Sequence, residues 1–150
     1  MKRAERLDHF RDGLESSEKE HRARLSLAEA KLGEAHGRLA ELQRYRDEYQ
    51  RSLGDRASGG IGATALRDYH AFVARLTEAV RQQAQLLART ELECDFERQR
   101  WNEAATRSRA VASVVERWRQ EDRVVVGRAE QRESDEWARQ VGLRPGAENP

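Results

Sequence analysis

The stretch DEYQRSLGDRASGGIGATALRDYHAF, residues 47–72, decides the fold because it sets a glycine cluster between two amphipathic, charged runs. The chain on either side has almost no other breaks, since its two prolines, Pro145 and Pro150, lie at its end. Gly54 follows the apolar Leu53, as expected where a helix ends. Two amphipathic helices joined by a short connection lie side by side and antiparallel. The stretch therefore predicts the bend of a folded-back hairpin, in which Ser58 or Thr64 caps the second helix.

The composition favours long helices over a globular core. Of the 150 residues, 37% are charged and 37% hydrophobic, yet the formal net charge is only +1, so the charges are mixed. A charged, helix-prone chain that is poor in proline is typical of a coiled coil. Cys94 is the only cysteine, no apolar run of membrane-spanning length is present, and we expect no signal peptide. We expect a cytoplasmic protein.

Apolar residues recur at alternating spacings of three and four on both sides of the bend, which is the signature of a coiled-coil seam. A shift of four residues between His21 and Leu25 indicates a stutter. The predicted seam before the bend includes Leu25, Ala28, Leu32, Ala35, Leu39, Leu42, Arg46, Tyr49 and Leu53. The predicted seam after the bend includes Leu66, Tyr69, Val73, Leu76, Val80, Gln83, Leu87, Thr90, Cys94, Glu97, Trp101, Ala104, Val111, Val115 and Trp118.

These patterns predict an all-α fold, a two-helix antiparallel coiled-coil hairpin of unequal helices in one domain. The expected segments are a helix over about 3–53, a bend over 54–63, a helix over about 64–140 and a flexible tail over 142–150. Both helices rise by about 1.5 Å per residue, so if both start at the bend, Leu7 lies near residue 112. The second helix then overhangs the first by about 25 residues. An apolar helix end without an internal partner is a candidate docking surface.

The sequence offers no sign of catalysis, a cofactor or a metal. GGIGAT, residues 59–64, is not a P-loop, because no GK[ST] follows and no apolar strand precedes it. The four histidines are scattered without metal-ligand spacing. A hairpin also lacks the water-excluding pocket of an active site. Arginines are dense in the second helix, but acids are interleaved with them, which is unlike a nucleic-acid-binding face. We expect a protein that is not an enzyme and binds no nucleic acid.

The run YRDEYQRSLGD, the following GGI and the run RDYHAFVARLTEAV resemble the flagellar export protein FliJ family. The likeness is strongest over about residues 42–87 and continues more weakly through Trp101 and Trp118 to DEWARQ near the end. It implies a coiled-coil component of the flagellar type III export apparatus, similar to the stalk of rotary ATPases. The implied partners are the hexameric export ATPase, the transmembrane export gate and export chaperones, at the inner face of the cytoplasmic membrane.

The resemblance also implies two binding surfaces. Carried over by position, the export-gate surface includes Phe72, Leu76 and Ala79, with Gln83 where the family can show a histidine. Phe72, Ala79 and Leu86 recur every seven residues as a second apolar stripe, whereas Leu76 is itself a seam position. The helix end expected to enter the ATPase ring carries the remaining candidates. These are Val111, Val115, Trp118, Arg119, Arg123 and Val125.

Two alternatives remain open. One is the equivalent stalk protein of a virulence type III secretion system, which shares the architecture. The other is a structural coiled coil that self-assembles through its seam. Polar seam positions such as Gln83 and Glu97 disfavour a long homodimer, since buried polar residues there reduce stability. We therefore expect the free chain to be monomeric.

Overall fold

The computed structural model describes residues 3–143 as two α-helices that pack against each other. Helix α1 comprises Arg3–Ser58 and helix α2 comprises Ala63–Leu143, with 56 and 81 residues. No strand occurs in this part of the chain. The predicted all-α hairpin of two unequal helices is confirmed. Of the predicted tail, Gly142 and Leu143 are helical, and residues 144–150 lie outside the described residues.

The bend consists of four residues, from Gly59 to Gly62, and is shorter than predicted. At the end of α1, the Gly59 N–H donates to the Arg56 carbonyl at 3.2 Å, and the Gly60 N–H donates to the Ala57 carbonyl at 3.3 Å. These i to i−3 bonds tighten the last turn. Gly60 then adopts a φ of 85°, a left-handed conformation that glycine reaches without a steric penalty. The chain therefore turns at Gly60.

Three expectations about the bend are wrong in detail. Helix α1 continues through Gly54 to Ser58, because a single glycine costs a helix only about 1 kcal/mol. Ser58 does not cap the second helix, since its Oγ donates to the Gly54 carbonyl at 2.8 Å within α1. Thr64 lies inside α2, where the first backbone bond runs from Leu66 N–H to the Gly62 carbonyl at 2.9 Å. Gly62 thus occupies the N-cap position.

The described chain falls into two compact units, of which the larger is Glu18–Ala104 and contains the bend. Its buried apolar side chains come from the predicted seams of both helices. They are Leu25, Ala35, Leu76, Cys94 and Ala104. Polar Gln83 and Thr90 are buried at seam positions as well, so the three-four spacing identified inward-facing positions irrespective of polarity. Buried Glu18 was not a predicted seam residue and lies just before the stutter.

The second unit comprises residues 3–17 and 105–143 of the described chain. Val115, only 1% exposed, is its most buried side chain. Arg3 and Asp8 of α1 contact Trp118, Arg119 and Glu121 of α2. Every side chain from Asp122 to Gly142 is exposed. The overhang therefore begins after Glu121 and not near residue 112, because α1 starts before Leu7 and covers more of α2.

Candidate docking surfaces

Four aromatic rings meet near the bend in the larger unit. Tyr45 and Tyr49 come from α1, and Tyr69 and Phe72 come from α2. The ring centroids of Tyr49 and Phe72 are 4.5 Å apart, and those of Tyr49 and Tyr69 are 5.0 Å apart. Tyr45 approaches Phe72 edge-on at 6.2 Å. Such pairs stabilise beyond their buried area. The cluster therefore holds the two helices together where the chain folds back.

Part of this aromatic cluster remains open to solvent. Tyr45 is about half exposed, and Tyr69 and Phe72 are half-buried. The guanidinium of Arg56 lies 5.4 Å from the Tyr69 ring centroid, and that of Arg75 lies 5.8 Å from the Phe72 centroid. Cations at this distance from an aromatic face are attracted to the ring. The cluster thus presents apolar rings edged with positive charge.

The four predicted gate residues divide into two pairs. Phe72 and Ala79 are half-buried, and Leu86, seven residues further on, is partly exposed. Leu76 and Gln83 are each only 8% exposed. The Gln83 side chain donates from Nε2 to the Ala35 carbonyl of α1 at 3.2 Å. Phe72 and Ala79 are therefore accessible at the surface, whereas Leu76 and Gln83 are committed to the packing between the helices.

The sequence did not predict the contact of Phe72 with Tyr45 and Tyr49. The signal for it was present, since Tyr49 and Phe72 are at similar distances along the chain from Gly60. In an antiparallel hairpin, residues equidistant from the bend become neighbours. Counting residues outward from the bend would therefore have predicted that the tyrosines and Phe72 share one surface.

Most of the predicted ring-docking residues belong to the paired end of the hairpin. Val115 is fully buried, and Val111 and Trp118 are half-buried. The Arg3 guanidinium lies 3.9 Å from the Trp118 ring centroid. Arg119 Nη2 donates to Asp8 Oδ2 at 2.7 Å, and this hydrogen bond raises the pKa of Arg119 above its ordinary value. Their role in docking stays a prediction, although buried Val115 does not belong to an uncovered helix end.

Arg123 and Val125, the other two predicted docking residues, lie on the exposed overhang. Val125 is 63% exposed, and its neighbours Val124 and Val126 are 51% and 56% exposed. Arg123 donates to Glu116 of its own helix at 3.0 Å. Further along, Trp137 is 66% exposed. The overhang is thus a single helix with large apolar side chains that α1 does not cover.

Two titratable side chains, Cys94 and Glu18, are buried between the helices. Within residues 3–143, no group of three or more His, Cys, Asp or Glu side chains is placed to hold a metal ion. Cys94 is fully buried. Buried Glu18 accepts a hydrogen bond from Trp101 Nε1 at 2.9 Å and another from Arg22. The Trp101 bond is the main reason that the pKa of Glu18 lies below its ordinary value. Such a carboxylate is stabilised in its ionised form and is a poor general base near neutral pH.

The described part of α1 and α2 contains no stretch that is long and apolar enough to cross a membrane. In comparisons with known proteins, the family model described as "Flagellar FliJ protein" matches residues 2–147 of the chain. No curated protein and no solved structure matches it. The match includes both helices and the bend, and so covers both compact units.

Proposed function

Because the chain belongs to the flagellar FliJ protein family, we propose that it acts without catalysis in flagellar type III export by binding three kinds of partner. Membership of this family supports a general role for the chain in flagellar export. The proposed partners are the hexameric export ATPase, the transmembrane export gate and export chaperones. Binding to the gate would hold the chain at the inner face of the cytoplasmic membrane. The chaperone contact rests on the family resemblance alone.

The observation that carries the ATPase proposal is the uncovered end of α2, residues 122–142. A single α-helix with side chains is about 10–12 Å across, which suits entry into the central hole of a ring. Val124, Val125 and Val126 supply an apolar surface that no residue of α1 buries. Clustered exposed apolar side chains of this kind mark interaction sites. Val115 and Trp118 support this function indirectly, by holding the base of the overhang.

The test compares two truncated chains in an assembly assay with a purified flagellar export ATPase. Ending the chain after Glu121 removes the overhang but keeps Val115. It also keeps the ion pair between Arg3 and Glu121, whose side chains are 3.5 Å apart. We expect this chain to lose its stimulation of ring assembly, measured by sedimentation and by ATP hydrolysis. The matched control ends after Leu143 and should stimulate as well as the full chain. Truncation after Ala110 is unsuitable, because it also deletes buried Val115.

The proposal fails if the chain ending at Glu121 stimulates assembly as strongly as the control. Circular dichroism of both chains provides the folding check. A native-like helical signal from residues 3–121 in the shorter chain ensures that a loss of stimulation reports the missing overhang and not an unfolded hairpin.

For the export gate, we place the contact on the accessible stripe formed by Phe72, Ala79 and Leu86, beside the exposed edge of Tyr45. Buried Gln83 and Leu76 would act by fixing the helices beneath this stripe. Replacing Phe72 also disturbs its packing on Tyr49, so Ala79→Asp is the cleaner test. We expect it to weaken binding to the gate's cytoplasmic region by about tenfold or more, because it introduces a charge into an apolar contact.

Ala84→Asp is the matched control, because Ala84 is exposed on the same helix and is five residues away. It carries the same change in charge and helix propensity, but at about 100° per residue it projects from another side of α2. Binding assays with both variants distinguish a local contact from a general effect of charge. Equal binding by the Ala79 variant and the unaltered chain would remove the stripe from the gate surface.

A further inference from the structure

An open groove runs between α1 and α2 in the larger unit, away from the bend. It consists of two adjoining hollows of about 300 and 350 Å³, which share Lys31, Thr90 and Glu93. On α1 the groove extends from Arg24 to Arg38, which is about 21 Å or four helical turns. Its length and open form match the dimensions of one additional helix.

Large apolar side chains flank the groove although they are exposed. Leu27 of α1 is 66% exposed and Phe96 of α2 is 54% exposed, and both line the same hollow. Leu86 lines the adjoining hollow and is 42% exposed. Leu92 is even more exposed, at 70%, but lines neither hollow. The groove therefore has an apolar lining from both helices, and Leu92 offers a reference position outside it.

The charges on the two sides of this hollow are opposite in sign. The adjoining hollow adds Glu34 and Arg38 on α1 and Arg89 on α2, which leaves α1 with a net positive charge and α2 with a net negative charge. In the hollow lined by Leu27 and Phe96, Arg24 and Lys31 lie on the α1 side, and Glu93 and Glu97 lie on the α2 side. Within residues 3–143, no ion pair joins any of these four side chains to a partner. Glu97 Oε2 is buried without a hydrogen-bond partner. A buried carboxylate oxygen without a donor is costly, and a cation held nearby would reduce that cost.

We infer that this groove binds an amphipathic helix of about four turns from a partner protein. Its apolar face would rest on Leu27, Leu86 and Phe96, as in other helix-in-groove complexes. Its acidic flank would face Arg24 and Lys31, and its basic flank would face Glu93 and Glu97. The inference does not depend on the proposed ATPase contact, and it shares only Leu86 with the proposed gate stripe.

The size of the apolar lining favours a single helix over a second copy of this chain. Three partly exposed side chains amount to a few hundred Å² at most. A stable interface between two proteins buries about 1,200–2,000 Å² in total. The charge pattern specifies the occupant further, because a helix with two flanks of the same sign would be repelled by one side of the groove.

The experiment uses three fluorescent helical peptides of about 14 residues, which corresponds to four turns. All three share one leucine face, and their flanks are Glu and Lys, Glu and Glu, or Lys and Lys. Fluorescence anisotropy with the full chain should show the mixed peptide binding about tenfold more tightly than either of the others, since only it complements both sides. A helix can enter the groove in either direction, and the mixed peptide satisfies both sides in one of them.

Variants of the chain locate the site. Phe96→Asp should reduce binding of the mixed peptide by about tenfold or more, as for other aromatic anchors. Leu92→Asp, one turn away on the same helix and outside the groove, should leave it unchanged. Joint Glu93→Lys and Glu97→Lys substitutions make both sides basic and should shift the preference to the peptide with two Glu flanks. Circular dichroism checks that each variant is folded.

Two kinds of result would overturn the inference. One is a lack of specificity, seen as equal binding of the three peptides or as equal effects of the Phe96 and Leu92 substitutions. The other is self-association of the full chain in sedimentation that Phe96→Asp abolishes, because a second copy would then be the occupant of the groove.

Discussion

Replacing Val115 by Ala tests where α1 ends its cover of α2. The side chain is 1% exposed in the unit that contains residues 3–17 and 105–143. The substitution deletes two buried methyl groups, which costs about 2–3 kcal/mol with the cavity included. The better helix propensity of Ala returns up to about 0.7 kcal/mol. We expect the free energy of unfolding to fall by about 1.5–2.5 kcal/mol.

Val125→Ala provides the matched control on the same helix. Val125 is 63% exposed on the overhang, so its substitution creates no cavity. Only the propensity gain remains, and the expected change is a stabilisation of a few tenths of a kcal/mol. Urea unfolding followed by far-ultraviolet circular dichroism measures both variants. If the two substitutions change the free energy of unfolding equally, Val115 is not covered by α1 and the overhang begins earlier.

The bend and the buried carboxylate give two further predictions. Gly60→Ala should destabilise the hairpin by about 1–2 kcal/mol in thermal unfolding, because φ is 85° there. Gly54→Ala should stabilise it by up to about 1 kcal/mol, because Gly54 lies inside α1 and Ala has the higher helix propensity. Trp101→Phe removes the hydrogen bond that lowers the pKa of Glu18. Because the pKa of Glu18 is lower in the folded state, its ionised form stabilises the fold above the unfolded-state pKa, and this stability is lost as pH falls through the folded-state pKa. The Trp101→Phe variant should therefore lose less stability than the unaltered chain between about pH 7 and about pH 3.

Beyond the adjacent backbone, a Cβ at Gly54 or Gly60 would meet no atom within 4 Å, so the comparison reports local backbone conformation alone. Equal effects at the two sites would place the turn elsewhere. For the carboxylate, an NMR titration of Glu18 should give a higher pKa in the Trp101→Phe variant. An unchanged pKa would assign the depression to Arg22, the other hydrogen-bond donor.

The docking surfaces were predictable in part. Phe72 and Ala79 were placed on an accessible stripe by their spacing of seven residues, and the structure leaves both half-buried. Gln83 and Leu76 were assigned to the same surface by resemblance, yet both face α1. A resemblance to a family identifies the matching position in this sequence but does not say where its side chain points. That direction depends on which face of the helix the partner helix covers.

The sequence by itself determined which positions face inward along each helix, because the spacing of apolar residues is a local property of the chain. Leu25, Cys94 and even polar Gln83 were assigned correctly on that basis. Only the tertiary structure decided where the turn is made, which carboxylate is buried and where the overhang starts. These features depend on backbone bonds that close at Gly60, on the meeting of Glu18 with Trp101, and on how far Arg3 reaches along α2. The burial of Glu18 and the start of the overhang depend on contacts between residues that are distant in sequence. The position of the turn depends on which of several neighbouring glycines adopts the left-handed conformation. Local periodicity predicts neither.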